Sequence, residues 1–311
     1  MDRKDLLTEP VRDMHLSGNS TLNDLMGQFR ESGGFSSAKI YTAYEILKKM
    51  FTEENTTFLS FPADIISTGT RGVINELVKR KLVDVIITTN GTLDHDVART
   101  YGKYYSGTFE FSDRKLADLG INRLGNVFVP DESYGELIEE KIQGMLTDLY
   151  EEKKEWSGSE LVRRIGSRIN DDSSILYNAA KNNIPIFVPG MTDGSVGSQF
   201  WSFYETHRDF KINLLEDEHL LSDIVFDAKK TGALMMGGGI SKHHTIWWNQ
   251  FRGGLDSAVY ITTAQEYDGS LSGAKLEEAI SWRKIREDAE FVNVYGDVTI
   301  ILPVLIGSLL D

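Results

Sequence analysis

The chain contains no cysteine, which removes disulfides, thiolate nucleophiles and cysteine-bound metals from consideration. It lacks basic excess: 33 Lys and Arg stand against 47 Asp and Glu, a net charge of −14. Nucleic-acid phosphates need a basic face, so a nucleic-acid partner is not expected. An acidic surface suits basic partners instead, such as polyamines or a lysine-bearing protein loop. No apolar run reaches the roughly 18 residues of a membrane span, and the opening MDRKDLLTEP has no signal-peptide core. A cytoplasmic protein without a membrane segment is the expectation. G-x-G-x-x-G is missing, so there is no standard dinucleotide fingerprint. His243 and His244 are adjacent, but no further ligand follows at regular spacing, and no metal is expected.

What is present is the make-up of a globular protein, 41% hydrophobic and 26% charged residues in 311. That length can bury a sizeable core, and the whole chain, 1–311, is expected to form one domain. Residues 1–15 are polar and are expected to be flexible or draped on the surface. Two amphipathic helices should follow, one carrying Leu22, Leu25, Met26 and Phe29 and one carrying Ala43, Leu47 and Phe51, parted by Gly33-Gly34. From residue 57 strands alternate with helices. TTFLSF, VDVIITT, IPIFVPG, FKINLLED, TGALMMGG, SAVYITT and FVNVYG read as strands. GTRGVINELVKRK, FWSFYETH, HLLSDIVFDAKK, SKHHTIWWNQF and LEEAIS read as helices, with a helical block from Tyr134 to Tyr150 and another from about Ser159 to Ile169. Residues 101–135 read as irregular. The ending VTIILPVLIGSLL, broken by Pro303, reads as a buried strand and a short segment. The fold class is α/β, a Rossmann-like, mostly parallel sheet with helices on both faces.

Ligands on such sheets bind beyond the carboxyl ends of the strands. Small and acidic residues recur there: Asn90-Gly91, Thr192-Asp193-Gly194-Ser195, Gly237-Gly238-Gly239, Ala264 with Asp268, and Gly296-Asp297. A glycine cluster ahead of a helix can offer amides to a pyrophosphate or simply mark a turn. Asp64, Asp193 and Asp297 can take ribose hydroxyls or cap helices. The stretch YDGSLSGAKLEEAISWRKIRED, 267–288, joins a small-residue loop to a helix with Glu277, Glu278, Trp282 and Lys284. Carboxylates, an indole and a lysine can hold a cationic amine and form an imine with it. They can equally form an amphipathic helix with solvated charges. Glu278 and Trp282 share a helical face whereas Lys284 points away, so a common pocket requires the helix to end or distort near Ser281.

Together with TTAQEYDGS (262–270), MMGGGISKHH (235–244), PGMTDGSVGS (189–198) and GINRLGNVFVP (120–130), this stretch resembles the deoxyhypusine synthase family, from about Val11 to the C-terminus. The resemblance implies that family's NAD-binding fold and an NAD-dependent aminobutyl transferase. Hydride leaves a carbon beside the donor's secondary amine, a lysine captures the four-carbon fragment, and an acceptor amine takes it before the hydride returns. Lys284 then corresponds to the nucleophile and His243, at the head of a helix whose dipole favours neutral imidazole, to the active-site histidine. Lys284 must be neutral to attack, which burial beside an aromatic favours. The NAD residues implied are Asp64, Ser67, Thr89, Asn90, Gly91, Asp193, Gly237, Gly238, Thr263, Ala264, Asp297 and Val298, although the family usually has asparagine where Asp64 stands. The amine-binding positions are Asp94, His95, Ser198, Asp268, Ser270, Leu271, Glu278 and Trp282. Also implied are a homotetramer with shared sites and a lysine-bearing translation initiation factor as acceptor.

Three positions depart from the pattern. His95 replaces a glutamate, and Ser198 and Leu271 replace aspartates that would supply negative charge to a polyamine. A buried ammonium without a counter-charge is costly, so donor recognition should be altered while the cofactor and lysine machinery is kept. Transfer between small amines, as in homospermidine synthases, a donor such as agmatine, and a non-catalytic NAD-binding role are the alternatives.

Overall fold

The computed structural model describes residues 2–310. Helix α1 is one turn (Arg3–Leu6), and residues 7–15 then run without regular structure, exposed, along α2 (Leu22–Glu31). Arg12 N–H bonds the Glu31 carbonyl at 3.0 Å there, so the segment is draped on the surface. After α3 (Ser37–Thr52) the alternating part begins: β1 (Thr56–Ser60), α4 (Thr70–Lys79), β2 (Val85–Ile87) and α5 (Asn90–Tyr101).

The next stretch is more regular than its sequence suggests. β3 (Tyr105–Ser106), α6 (Asp113–Asp118), β4 (Ile121–Leu124) and β5 (Val127–Pro130) replace the expected irregular segment, with order β3-β5-β4 and antiparallel pairing. Gly125, at φ +60°, and Asn126 make a two-residue hairpin turn, and such a turn suffices to close the short ladder.

The chain continues through α7 (Gly135–Glu152), β6 (Glu155–Ser157), α8 (Gly158–Gly166), α9 (Ile175–Asn182), β7 (Ile186–Phe187), α10 (Ser195–Thr206), β8 (Lys211–Asn213), α11 (Leu214–Asp227), β9 (Thr231–Met236), α12 (Gly239–Asn249), β10 (Leu255–Thr262), α13 (Leu276–Ser281), β11 (Ile285–Tyr295) and α14 (Val298–Leu310). FKINLLED is thus a three-residue strand running directly into a helix, and it pairs with β6 outside the main sheet. Asn213 accepts from Leu215 N–H and starts α11 where the strand was expected to go on.

The main sheet has six strands in the order β11-β10-β9-β1-β2-β7, every pair parallel. Alternate residues face opposite sides, as the pleat requires. Leu59, Ile86, Leu234 and Val259 join a core with α3, α4, α5, α9 and α14. Phe58, Val85, Ala233 and Tyr260 join another with α11, α12 and α13. Strands buried on both faces read as continuous apolar runs rather than alternation.

The same property misleads at the C-terminus. VTIILPVLIGSLL is apolar throughout, so periodicity cannot separate strand from helix. It folds as α14, Asp297 Oδ1 accepting the Thr299 amide at 2.8 Å at its start. Pro303 costs one intrahelical bond. Burial of Ile301, Leu302, Leu305 and Ile306 against α2, α3 and α4 offsets that loss.

Candidate active site

Helix α13 stops at Ser281, the place where a pocket common to Glu278, Trp282 and Lys284 would need a break, and Arg283 takes a left-handed φ of +58°. The kink turns Lys284 inward, its amide bonding the Ala279 carbonyl at 3.0 Å. Lys284 is 8% exposed. Its Nζ lies 5.5 Å from the Trp247 ring centre and 5.6 Å from that of Trp282, within cation–π range of both. Trp247 stands four residues after His243 on α12, and their rings stack at 5.6 Å. Burial, then the charge of Lys284, lowers the pKa of His243. The helix dipole is not needed for this: His243 is already the fifth residue of α12. An imidazole of lowered pKa and a buried amine therefore lie against the same indole. Trp247 was not singled out in the sequence, although its i+4 spacing from His243 put both on one face.

The neighbouring His244 has another duty. Its Nε2 lies 3.3 Å from Glu218 of α11, whose other oxygen accepts from Trp248 Nε1 at 2.6 Å. Burial takes the His244 pKa to about 4, so its ring is neutral, and it is the Trp248 bond to Glu218 that ties α12 to α11.

The residues expected to hold NAD gather at the carboxyl edge of the sheet. Strand order reverses between β1 and β9, which is where such sheets bind nucleotides. Asp64 and Ser67 follow β1, Gly237 and Gly238 follow β9, and Gly237 (φ +61°) abuts Pro62. α12 begins there with no side-chain cap, as does α5 at Thr89, so both helices present free amides suited to a pyrophosphate. Asp193, Thr263 and Asp297 are exposed on the same edge, while Gly91, Ala264 and Val298 are half-buried beside them. This donor set fits a dinucleotide: amides for phosphates and carboxylates for ribose. Asn90 is different. It is buried, donates to the Met191 carbonyl at 2.6 Å and accepts the Gly197 amide at 3.2 Å, tying the β2 loop to the β7 loop.

The amine-binding positions fall into two groups. Asp268, Ser270, Leu271, Glu278 and Trp282 belong to the stretch that leads to Lys284. Asp268 accepts from the Ser270 amide (2.8 Å) and hydroxyl (2.7 Å), bonds that hold its pKa down and keep it a carboxylate. Leu271 and Glu278 line an open cavity of about 710 Å³ with Gly269, Ala274 and Lys275. Asp94, His95 and Ser198 lie on α5 and α10, beyond β2 and β7. Four strand spacings separate β2 from β11, roughly 19 Å. Within one chain these two groups do not meet.

In the second group Asp94 is buried and fully engaged, accepting from the Ser195 and Val196 amides at 2.8 and 2.7 Å and from the Tyr134 hydroxyl at 2.8 Å. It caps α10. Burial outweighs these bonds and raises its pKa. His95 Nδ1 pairs with the Tyr104 hydroxyl at 2.9 Å, and burial lowers its pKa to about 4, so it is neutral. Ser198 is exposed, with its hydroxyl donating to the Gly194 carbonyl at 2.9 Å.

A doubly wound parallel sheet with a nucleotide-type carboxyl edge defines an α/β fold, here with a buried lysine close to two indoles. The deoxyhypusine synthase family pattern matches residues 24–309. "Probable deoxyhypusine synthase" chains of Picrophilus torridus and Sulfolobus acidocaldarius are 73% and 49% identical, each covered end to end and covering all of this chain. A solved structure from Entamoeba histolytica, named a "putative deoxyhypusine synthase", superposes with a TM-score of 0.67 at 22% identity over 96% of both chains. AgrE, solved with ornithine and NAD+, shares the fold at a TM-score of 0.51 and 15% identity, over 88% of this chain and 32% of AgrE. The chain belongs to the deoxyhypusine synthase family. It is a transferase, and the activity of that family is NAD-dependent transfer of an aminobutyl group.

Proposed function

We propose that Lys284 is the covalent nucleophile of this transfer, with His243 as its proton acceptor and NAD bound along the carboxyl edge of the main sheet. The observation that carries the reading is the burial of Lys284 near Trp247 and Trp282, with His243, its pKa lowered by burial and by the lysine's charge, stacked on the same Trp247. Bound NAD supplies hydride acceptance and return. Lys284 nitrogen bonds to the oxidised carbon of the four-carbon fragment, and the remaining diamine leaves with the proton that His243 relays. The incoming acceptor amine then displaces Lys284 as a free amine. Trp282 and Trp247 form a surface on which a cationic methylene chain lies, and Glu278 and Asp268 attract its far ammonium.

The acceptor is a basic, lysine-bearing loop of a translation initiation factor, for which the acidic surface is suited. The assembly is a homotetramer in which His95 and Ser198 of one copy face the Lys284 chamber of another. Two features support this: the four strand spacings, roughly 19 Å, between β2 and β11 in one chain, and the exposed Ile240, Trp247, Phe251 and Trp282 near Lys284, an apolar patch that a second copy would cover.

The departures at His95, Ser198 and Leu271 favour a donor other than spermidine. His95 is neutral, Asp94 is committed to α10, and Ser198 is turned to a backbone carbonyl, so the α5–α10 group offers little free negative charge. The direct test of the nucleophile is borohydride trapping with NAD and donor. Label on Lys284 that vanishes in Lys284→Ala supports the assignment, and label on Lys242 overturns it.

A further inference from the structure

Lys242 is a charged side chain that lies fully inside this fold, 1% exposed on α12 next to His243. Among the described residues no carboxylate lies within ion-pair distance of it; only the more distant charge of Glu278 favours its protonated form. Its Nζ instead donates to two backbone carbonyls, those of Leu271 at 3.1 Å and Ala274 at 2.6 Å, and lies 3.6 Å from the centre of the Tyr260 ring. The carbonyl between them is held too. Ser272 oxygen accepts from the Tyr260 hydroxyl at 2.6 Å and from the Thr262 hydroxyl at 3.1 Å.

Three carbonyls in four residues are thus gripped by side chains of α12 and β10. The gripped segment is the one with two functional neighbours. On one side Ser272 packs against Gly238, where a Cβ would come within 2.2 Å of the serine hydroxyl. On the other side the segment carries Asp268, Ser270 and Leu271 and leads through α13 to Lys284. Its outer edge, Tyr267 to Ser270, is exposed.

A lysine is an expensive way to fill such a space. An ammonium taken from water without a carboxylate incurs a desolvation cost that hydrogen bonds and a π face only partly offset. Burial lowers the Lys242 pKa to about 7, which expresses that cost. Methionine has nearly the same length and no such penalty. The side chain is therefore a poor choice for stability and a specific one for geometry, because its donors fix where two carbonyls can lie.

We propose that Lys242 is a positioning residue for amine transfer, clamping the backbone of Leu271 and Ala274 so that the 267–275 loop is seated between the Gly237–Gly239 turn and the Lys284 chamber. The inference rests on the proposed site, since it assumes that this loop meets the amine donor.

The test uses the full chain and two variants, Lys242→Met and Tyr260→Phe. Hydrogen exchange of the 268–276 amides should quicken in both, more in Lys242→Met, with β9 and α12 unchanged. The donor KM should rise about tenfold or more in Lys242→Met, which removes both bonds to the loop, while kcat stays within a few-fold. A general loss of folded enzyme would lower kcat and leave KM alone. Unchanged loop exchange and unchanged KM in a folded Lys242→Met chain would overturn the clamp, as would faster exchange spread over the whole sheet. If Lys242→Met does not fold, Tyr260→Phe decides by the same two measurements. Failure of the underlying site reading looks different: loop exchange responds to the variants, but Lys284→Ala retains wild-type turnover.

Discussion

The amine of Lys284 stands 5.5 Å from the centre of the Trp247 indole, and that one contact ties the end of α13 to the face of α12 that carries His243. Trp247 is half-exposed, so its ring has a free side for a substrate cation. Replacing it with leucine should weaken donor binding by about 0.5–2 kcal/mol, a roughly 2- to 30-fold rise in KM. Steady-state kinetics with Trp247→Leu check this; an unaltered KM would remove the indole from the site.

Asp94 gives the opposite outcome. Its oxygens serve two α10 amides and Tyr134, so Asp94→Asn should act on stability, costing about 1–3 kcal/mol by leaving an amide of the α10 start unpaired. Urea unfolding measures it. A variant of unchanged stability whose donor KM rises tenfold would instead make Asp94 an amine ligand.

Gly238 tests the cofactor edge. A side chain there would collide with Ser272 backbone as well as its hydroxyl. Gly238→Val should abolish NAD-dependent quenching of tryptophan fluorescence while the protein stays folded by circular dichroism. Full quenching would move the cofactor away from this turn.

Donor choice is checked by kcat/KM for spermidine, agmatine and putrescine in the wild type and in Ser198→Asp/Leu271→Asp. Each charge-assisted bond is worth roughly 1.5–3 kcal/mol, so restoring two should improve spermidine by about two orders of magnitude or more. A delocalised guanidinium stacks well on indoles and should fare better than spermidine in the wild type. Wild-type spermidine turnover equal to that of the double variant would show that these positions do not set the donor.

The buried histidines predict acid sensitivity. His95 and His244 have folded pKa values lowered to about 4 from 6.5, so between those values the unfolded chain binds the protons. Their contribution is full above about pH 6.5 and is lost as pH falls toward 4, on the order of 2–3 kcal/mol for each. Unfolding free energies at pH 7 and 4.5 should differ less for His95→Gln than for the wild type. An identical pH slope would place His95 in contact with water.

Much of this was readable before the fold was known. The β9–α12 and β10–α13 segments showed themselves because buried parallel strands are apolar runs, β9 stopping at Gly237 and β10 at Thr262-Thr263-Ala264. The break at Ser281 followed from Lys284 lying off the Glu278–Trp282 face. What stayed hidden depended on distance along the chain. Asp94 finds its two amides 101 and 102 residues away, and no local pattern announces that. Lys242 carried no signal in the sequence because the carbonyls that hold it lie 29 and 32 residues further on. The all-apolar α14 offered no periodicity to read, and the Gly125-Asn126 hairpin was masked by short strands of mixed polarity.

The order of the strands carries one more consequence. With the α5–α10 residues at one end of the sheet and Lys284 at the other, damage to each end is a separable defect in the proposed assembly. Mixing a chain lacking Lys284 with one crippled at the α5–α10 end would leave some pockets drawing an intact half from each parent. Two dead preparations, unfolded together and refolded, would regain part of the activity that neither has alone.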